Sequence, residues 1–309
     1  MTIPRRDLLG IRFLAKEDLE WLLSRSDHYF PNILSTDPAT RSTLLAGRTV
    51  ANLFFENSTR TRTSFELAEK RLGADAVSLS MQTSSLTKGE SLIDTVNVIT
   101  AMKIDCIVVR HNAGGVPQLL RKHLPEHIRI INAGDGACEH PTQALLDAAT
   151  LIEAMGQLAG KKIVIVGDIL HSRVARSNIY LLKQLGAEVT VVAPNTLMPK
   201  YIREVFDVDA HYDLDHVLKG KDAVMALRIQ HERQGKGYIP SLGDFRRKYG
   251  LTPNRLQATD AYILHPGPVN RSVELDDEAA DSERSLILRQ VARGVAIRMA
   301  VLEWLFSKH

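Results

Sequence analysis

The sequence predicts an α/β protein of two domains, each a mainly parallel sheet flanked by helices. Three observations carry this. Short β-branched runs alternate with amphipathic stretches along the whole chain, the pattern of strand–helix units. That pattern restarts after residue 150, where QLAG leads into the apolar run KKIVIVGD. The length, 309 residues, suits two domains at roughly 150 residues each. The domains are therefore expected at 1–150 and 151–309. Two such domains leave a cleft between them, and open parallel sheets bind ligands beyond the carboxyl ends of their strands. The active site is expected there.

Taken in order, residues 16–30 read as a helix with Leu19, Leu22, Leu23 and Phe30 on its buried side, and 48–55 as a strand. A helix follows from Ser58 to Leu72, with Gly73 just past its end, where a left-handed residue is favoured. Residues 76–79 make a short strand before the polar loop MQTSSLTKGE. Residues 91–103 are helical, and 104–109 and 128–132 are strands. A helix opens at Pro141 or Thr142, where proline suits a first turn, and runs to about Met155. In the second half, 161–168, 187–193, 222–227 and 261–264 read as strands, 173–185 as a helix, and 285–305 as a long amphipathic helix.

Composition narrows the class. Apolar residues are 44% and charged residues 24%, which excludes disordered and collagen-like chains. The formal charge of +3 is not that of a dedicated nucleic-acid binder. No apolar run approaches the roughly 18 residues of a membrane span. The amino terminus carries acids and lacks an apolar core, so no signal peptide is read. Two cysteines cannot build a disulfide framework, which points to a reducing, cytoplasmic compartment.

The polar clusters fall at strand ends. Residues 54–66 read FFENSTRTRTSFE, placing Ser58, Thr59, Arg60, Thr61 and Arg62 at a strand-to-helix turn. Helix N-termini offer unpaired N–H groups and partial positive charge. Hydroxyls at 58, 59 and 61 add donors, and the arginines add forks that fit phosphate oxygens. A plain capped helix with solvated arginines is the simpler reading of this segment. Glu56 is placed to orient one of these arginines. Arg110 and His111 end the strand 104–109, and GDGACEHPTQ at 134–143 sets His140, Pro141 and Gln143 at a helix start. Lys88, Arg173 and Arg228 each read alone as surface charges. His265-Pro266-Gly267-Pro268 reads alone as a rigid turn.

Together these segments resemble the aspartate and ornithine carbamoyltransferases. Residues 58–62 match that family's Ser-x-Arg-Thr-Arg pattern in full, and HPTQ after GDG matches its carbamoyl-phosphate site. The resemblance runs in order across nearly the whole chain. It implies that Ser58, Thr59, Arg60, Thr61, Arg110, His140 and Gln143 bind carbamoyl phosphate, with Gly267 and Pro268 near its NH2 group. Arg60, Thr61, Arg110 and His140 are the expected catalytic set. His140 is assigned as a hydrogen-bond donor to the carbonyl oxygen rather than a base. The string HPGPVNR, in place of the ornithine branch's His-Cys-Leu-Pro, resembles the aspartate branch. That branch implies an aspartate site of Lys88, Arg173, Arg228 and Gln230, with Lys88 reaching a neighbouring subunit's site. It further implies a homotrimer with shared active sites and a C-terminal helix packed back on the first domain. Regulatory or dihydroorotase-like partner chains are left open by the sequence.

Other signals are set aside. The KKIVIVGD strand lacks G-x-G-x-x-G, so NAD is not expected. P-loop and nucleophile-elbow strings are absent, and Cys138 with His140 lacks a second ligand pair at zinc spacing. No cofactor or metal is expected. The competing readings are a carbamoyltransferase for another amine, a non-catalytic scaffold, and a nucleic-acid-binding module using the arginines. The last would show steep salt dependence, and base-stacking aromatics near Arg60 and Arg62 are lacking.

Overall fold

The computed structural model describes residues 7–35, 42–80, 91–229 and 238–307. It divides into two compact units, Met1–Ala149 with Ala292–His309, and Thr150–Val291. Each is a parallel sheet with flanking helices.

The first unit runs α1 (Lys16–Leu34), β1 (Thr49–Phe54), α2 (Thr59–Arg71), β2 (Asp75–Ser80), α3 (Leu92–Thr100), β3 (Cys106–His111), α4 (Val116–His123), β4 (Arg129–Asp135) and the start of α5 (Pro141–Met155). Its strands lie in the order β2-β1-β3-β4, all pairs parallel. The inner strands are mostly apolar because helices cover both faces. Ala51, Leu53, Ile107, Val109 and Ile130 pack with Val96, Ile99 and Leu120 in one buried cluster. Gly73 takes φ +82° after α2, and a side chain there would meet the Ser42 carbonyl at 2.6 Å.

The second unit runs β5 (Lys162–Val166), α6 (Arg173–Gln184), β6 (Glu188–Val192), α7 (Ile202–Phe206), β7 (Asp209–His211), α8 (Asp215–Leu218), β8 (Ala223–Ala226), α9 (Leu242–Tyr249), α10 (Pro253–Gln257), β9 (Tyr262–Leu264) and α11 (Asp277–Ala280). Its order is β7-β6-β5-β8-β9, again all parallel. The last helix, α12 (Ile287–Phe306), crosses the division. Within the first unit its end lies on α1: Glu303 accepts from Arg25 Nε at 2.5 Å and Tyr29 Oη at 2.6 Å, and Trp304 Nε1 donates to Asp18 at 2.9 Å.

Several elements differ from expectation. The strand expected at 104–109 is Cys106–His111, because pairing continues past the apolar run: Phe54 sits opposite Arg110 in the β1–β3 ladder. The helix expected to end at residue 30 continues to Leu34 through Pro31. Helices α4 and α9 were not anticipated. One starts behind Gly115 at φ +83° with proline in its first turn, and the other behind Ser241, whose hydroxyl accepts from the Asp244 N–H at 3.0 Å.

Candidate active site

Sheet order places the functional side chains. In the first sheet β1 has β2 on one side and β3 on the other, so successive connections leave in opposite directions. Such a switch point opens a crevice at the carboxyl ends of the two strands. The Ser58–Arg62 turn leaves the end of β1, and Arg110 stands at the end of β3. The two ends are tied where the Phe55 N–H donates to the Arg110 carbonyl at 2.9 Å. A backbone ladder thus sets the spacing between the turn and the arginine.

Ser58 is the N-cap of α2, and its side chain makes no cap hydrogen bond. Thr61 is buried in the first turn and Arg60 is exposed. Arg110 is largely buried and bridges groups of its own sheet. Its Nη2 pairs with Glu56 at 2.7 Å, its Nη1 donates to the Ala133 carbonyl at 3.2 Å, and Nη1 lies 3.5 Å from His140 Nε2. The last distance is at the limit of a hydrogen bond, so the pair is a shared pocket wall rather than a strong bond. Glu56, expected to orient an arginine of its own turn, makes a charge-assisted bond to Arg110 on the neighbouring strand β3. Arg62 has Glu66 one helical turn away, at 3.9 Å.

The loop that carries His140 is fixed by a buried carboxylate. Asp135 accepts from the Asn132 side chain at 2.9 Å, the Glu139 N–H at 3.0 Å and the Gly115 N–H at 2.7 Å. Gly136 turns the chain at φ +47°, and a side chain there would sit 2.5 Å from the Gly114 nitrogen. Glu139 is held in turn by the Ile11 N–H at 2.6 Å. His140 and Gln143 then open α5, both buried. His111 lies among the same groups. Burial lowers its pKa, and the charges of Glu56 and Asp135 oppose that shift. Asp135 and Glu139 were not singled out from the sequence, although the acids inside GDGACEH were the available signal.

The second sheet repeats the device. β5 has β6 on one side and β8 on the other. Gly167 after β5, at φ +131°, leaves no room for a side chain: a Cβ would lie 2.9 Å from the Leu227 carbonyl after β8. Arg173 opens α6 and is buried, behind Ser172, whose hydroxyl accepts from the Ala175 N–H at 3.1 Å. Arg228 follows β8 and is half-buried. Near β9, His265 Nδ1 accepts from the Gly267 N–H at 2.8 Å, and its Nε2 lies 3.2 Å from Glu274. These bonds pin the turn at Gly267-Pro268, which is cis. Lys88 and Gln230 lie outside the described residues. Among the described residues there is no cluster of metal-ligating side chains, and no helix is long and apolar enough to cross a membrane.

Each of the two parallel sheets carries arginine at the strand ends of its switch point, Arg110 at the end of β3 in one and Arg173 and Arg228 after β5 and β8 in the other. Comparison with known proteins identifies the family. Residues 6–153 match the aspartate/ornithine carbamoyltransferase carbamoyl-P binding domain, and residues 159–305 match the Asp/Orn binding domain. The aspartate carbamoyltransferase catalytic subunit of Flavobacterium psychrophilum is 50% identical over 304 residues, covering 98% of this chain and 97% of its own. That of Maricaulis maris is 51% identical over 303 residues, covering 97% and 93%. Among solved structures, the Trypanosoma cruzi aspartate transcarbamoylase in complex with carbamoyl phosphate and aspartate superposes with a TM-score of 0.86 at 28% identity, covering 97% of both chains. The catalytic subunit of M. Jannaschii aspartate transcarbamoylase gives 0.82 at 33% identity, also covering 97% of both. The chain belongs to the aspartate/ornithine carbamoyltransferase family.

Proposed function

We propose that the chain transfers the carbamoyl group of carbamoyl phosphate to the α-amine of L-aspartate, giving N-carbamoyl-L-aspartate and phosphate, an early step of de novo pyrimidine synthesis. The observation that carries this reading is the set at the β1–β3 switch point, where the Ser58–Arg62 turn and Arg110 with His140 meet at adjoining strand ends. Relatives at about half identity named for aspartate support the choice of acceptor.

The chemistry follows from charge. The amine nitrogen attacks the carbonyl carbon, a C–N bond forms, and the C–O bond to phosphate breaks. Negative charge grows first on the carbonyl oxygen and then on the departing phosphate. Thr61, Arg110 and His140 stabilise the oxyanion as fixed donors, while Ser58, Thr59, Arg60 and Arg110 hold the phosphate. Gln143, Gly267 and Pro268 bind the carbamoyl NH2. Arg173, Arg228, Gln230 and Lys88 bind the two carboxylates of aspartate and orient its amine. The amine's proton passes to the departing phosphate, which gains basicity as it leaves. The functional unit is a homotrimer in the cytoplasm, with Lys88 donated by a neighbouring chain, and no cofactor takes part.

The test is a carbamoylation assay with aspartate and ornithine side by side. Product with aspartate alone is expected. Transfer to ornithine at an equal or higher rate, or to neither amine, refutes the reading.

A further inference from the structure

We propose that Asp147 is a positioning residue for substrate choice: it fixes which end of the Gln143 amide faces the ligand, so that the site accepts a hydrogen bond from the carbamoyl NH2 and disfavours the isosteric acetyl group. The inference rests on the carbamoyl-phosphate reading above and assigns a role to a residue outside the set named there.

Gln143 and Asp147 lie one turn apart on α5, on the same helix face. Gln143 Nε2 donates to Asp147 Oδ1 at 2.9 Å. Asp147 is fully buried and Gln143 is 9% exposed, so water does not compete for this bond. A side-chain amide has a donor end and an acceptor end, and which is which follows from its partners. An ionised carboxylate only accepts. With its NH2 committed to Asp147, Gln143 turns its carbonyl oxygen away from Asp147, and that oxygen can only receive a hydrogen bond. A carbamoyl NH2 satisfies it, whereas a methyl group of the same size leaves it dry.

Asp147 must stay ionised in the interior for this to hold, and a buried cation on α12, Arg298, lies close enough to feel its charge. Arg298 is buried, its Nη1 donates to the Gly294 carbonyl at 2.7 Å, and its guanidinium carbon lies 5.0 Å from the centre of the Phe65 ring. Burial pulls the Arg298 guanidinium below its ordinary value, and the charge of Asp147 opposes that shift. Gly294 makes the seat: a side chain there would lie 2.7 Å from Arg298 Nη1 and 3.4 Å from Leu146 Cδ2. Burying charged groups in a core is a weak way to stabilise it, since apolar residues of similar volume commonly do as well or better. The retention of Asp147 beside a substrate-facing amide is explained by the orientation it imposes. Sites that hydrogen-bond a substrate N–H reject analogues lacking it far more strongly than apolar pockets reject a change of size.

The experiment compares the wild-type chain with Asp147→Asn, whose amide can both donate and accept and so no longer dictates the Gln143 orientation. The Asp147→Asn/Arg298→Met double variant removes the orphaned buried cation if the single variant folds poorly. Carbamoyl transfer to aspartate is measured with acetyl phosphate as competitor, giving KM for carbamoyl phosphate and Ki for acetyl phosphate. The ratio of Ki to KM is expected to fall about tenfold or more in the variants, with the Ki of inorganic phosphate unchanged. A ratio within twofold of wild type in a folded variant overturns the proposal, because a purely structural role would weaken both ligands alike. Neutron diffraction from wild-type crystals soaked in phosphonoacetamide provides a second measurement independent of variant folding. Deuterons of Gln143 on the Asp147 side support the inference, and deuterons facing the ligand amide overturn it. A wild-type chain that makes no N-carbamoyl-aspartate would count against the proposed function instead, and the neutron result would still decide the orientation.

Discussion

Replacing Arg110 with alanine separates what its guanidinium does for chemistry from what it does for the fold. The side chain holds Glu56 at 2.7 Å and the Ala133 carbonyl at 3.2 Å, and lies 3.5 Å from His140. As a donor to developing charge its loss should cost about 3–4 kcal/mol of barrier, a fall in kcat of roughly 10²–10³-fold. The same change strips Glu56 of its guanidinium in a site where both side chains are mostly covered, 13% and 14% exposed. Losing the ionic partner of a part-buried carboxylate should cost roughly 1–3 kcal/mol of stability. The double variant Arg110→Met/Glu56→Gln removes both charges together. Urea unfolding should show most of that stability restored, while a radiolabelled carbamoyl-phosphate assay should show turnover still at the level of the single variant. A single variant within tenfold of wild-type kcat would refute the catalytic role. Recovery of turnover in the double variant would show that Arg110 matters only as the partner of Glu56.

Arg228→Ala should raise KM for aspartate roughly 10–100-fold, the worth of a charge-assisted bond, with KM for carbamoyl phosphate within about threefold of wild type; equal rises in both would argue against a carboxylate-specific role. Gly136→Ala forces a side chain into φ +47° and against the Gly114 nitrogen, so it should destabilise by about 2 kcal/mol or more and depress turnover through the His140 loop; a Tm within a degree of wild type would contradict this. Burial pushes the Glu69 carboxyl up to about 8, with the Asn52 amide pulling it down. The folded chain therefore holds that proton more tightly than the unfolded chain, and stability should fall as pH rises from about 4.5 towards 8. Glu69→Gln should remove this fall, which amounts to roughly 5 kcal/mol over that range, and parallel pH profiles for the two proteins would exclude the effect. Mixing inactive Lys88→Ala and Arg60→Ala chains should regenerate activity through hybrid sites; none despite demonstrated subunit exchange would place Lys88 in its own chain's site.

The strands were legible because a parallel sheet covered on both faces writes itself as mostly apolar runs such as TVANLF and KIVIV. The turn at Ser58–Arg62 was legible because hydroxyls and guanidiniums alternate where an apolar run stops. What escaped was set by strand order. Nothing near Glu56 in sequence says that Arg110 on β3 is one of its partners, and apolarity ends the strand at Val109 although backbone pairing carries it to His111. Asp135 escaped for the same reason. Its role lies in N–H groups from Gly115 and Glu139, which only the folded loop brings to one carboxylate. Helices α4 and α9, at eight residues each, are too short for a helical period to separate from a loop.

The net charge of +3 and the handling of two anionic substrates are reconciled by where the cations stand. Long-range attraction scales with total charge and is screened within about 8 Å at physiological salt, so +3 contributes little to capture. Fixed donors act at contact distance, and their worth depends on being placed before the anion arrives. Both sheets achieve that placement through backbone. Neighbouring strands are held about 4.8 Å apart by their ladder, and a switch point leaves the two ends uncovered by a crossover connection. Phe55 bonded to the Arg110 carbonyl in one sheet, and Gly167 tight against Leu227 in the other, tie those ends together before any ligand binds. The cost of assembling like charges is met during folding, by strand pairing and by acids such as Glu56, and not at the moment of binding. It follows that raising ionic strength should weaken substrate binding far less than removing any one of these backbone ties, a comparison open to the same kinetic assay through a salt series on wild type and Gly167→Ala.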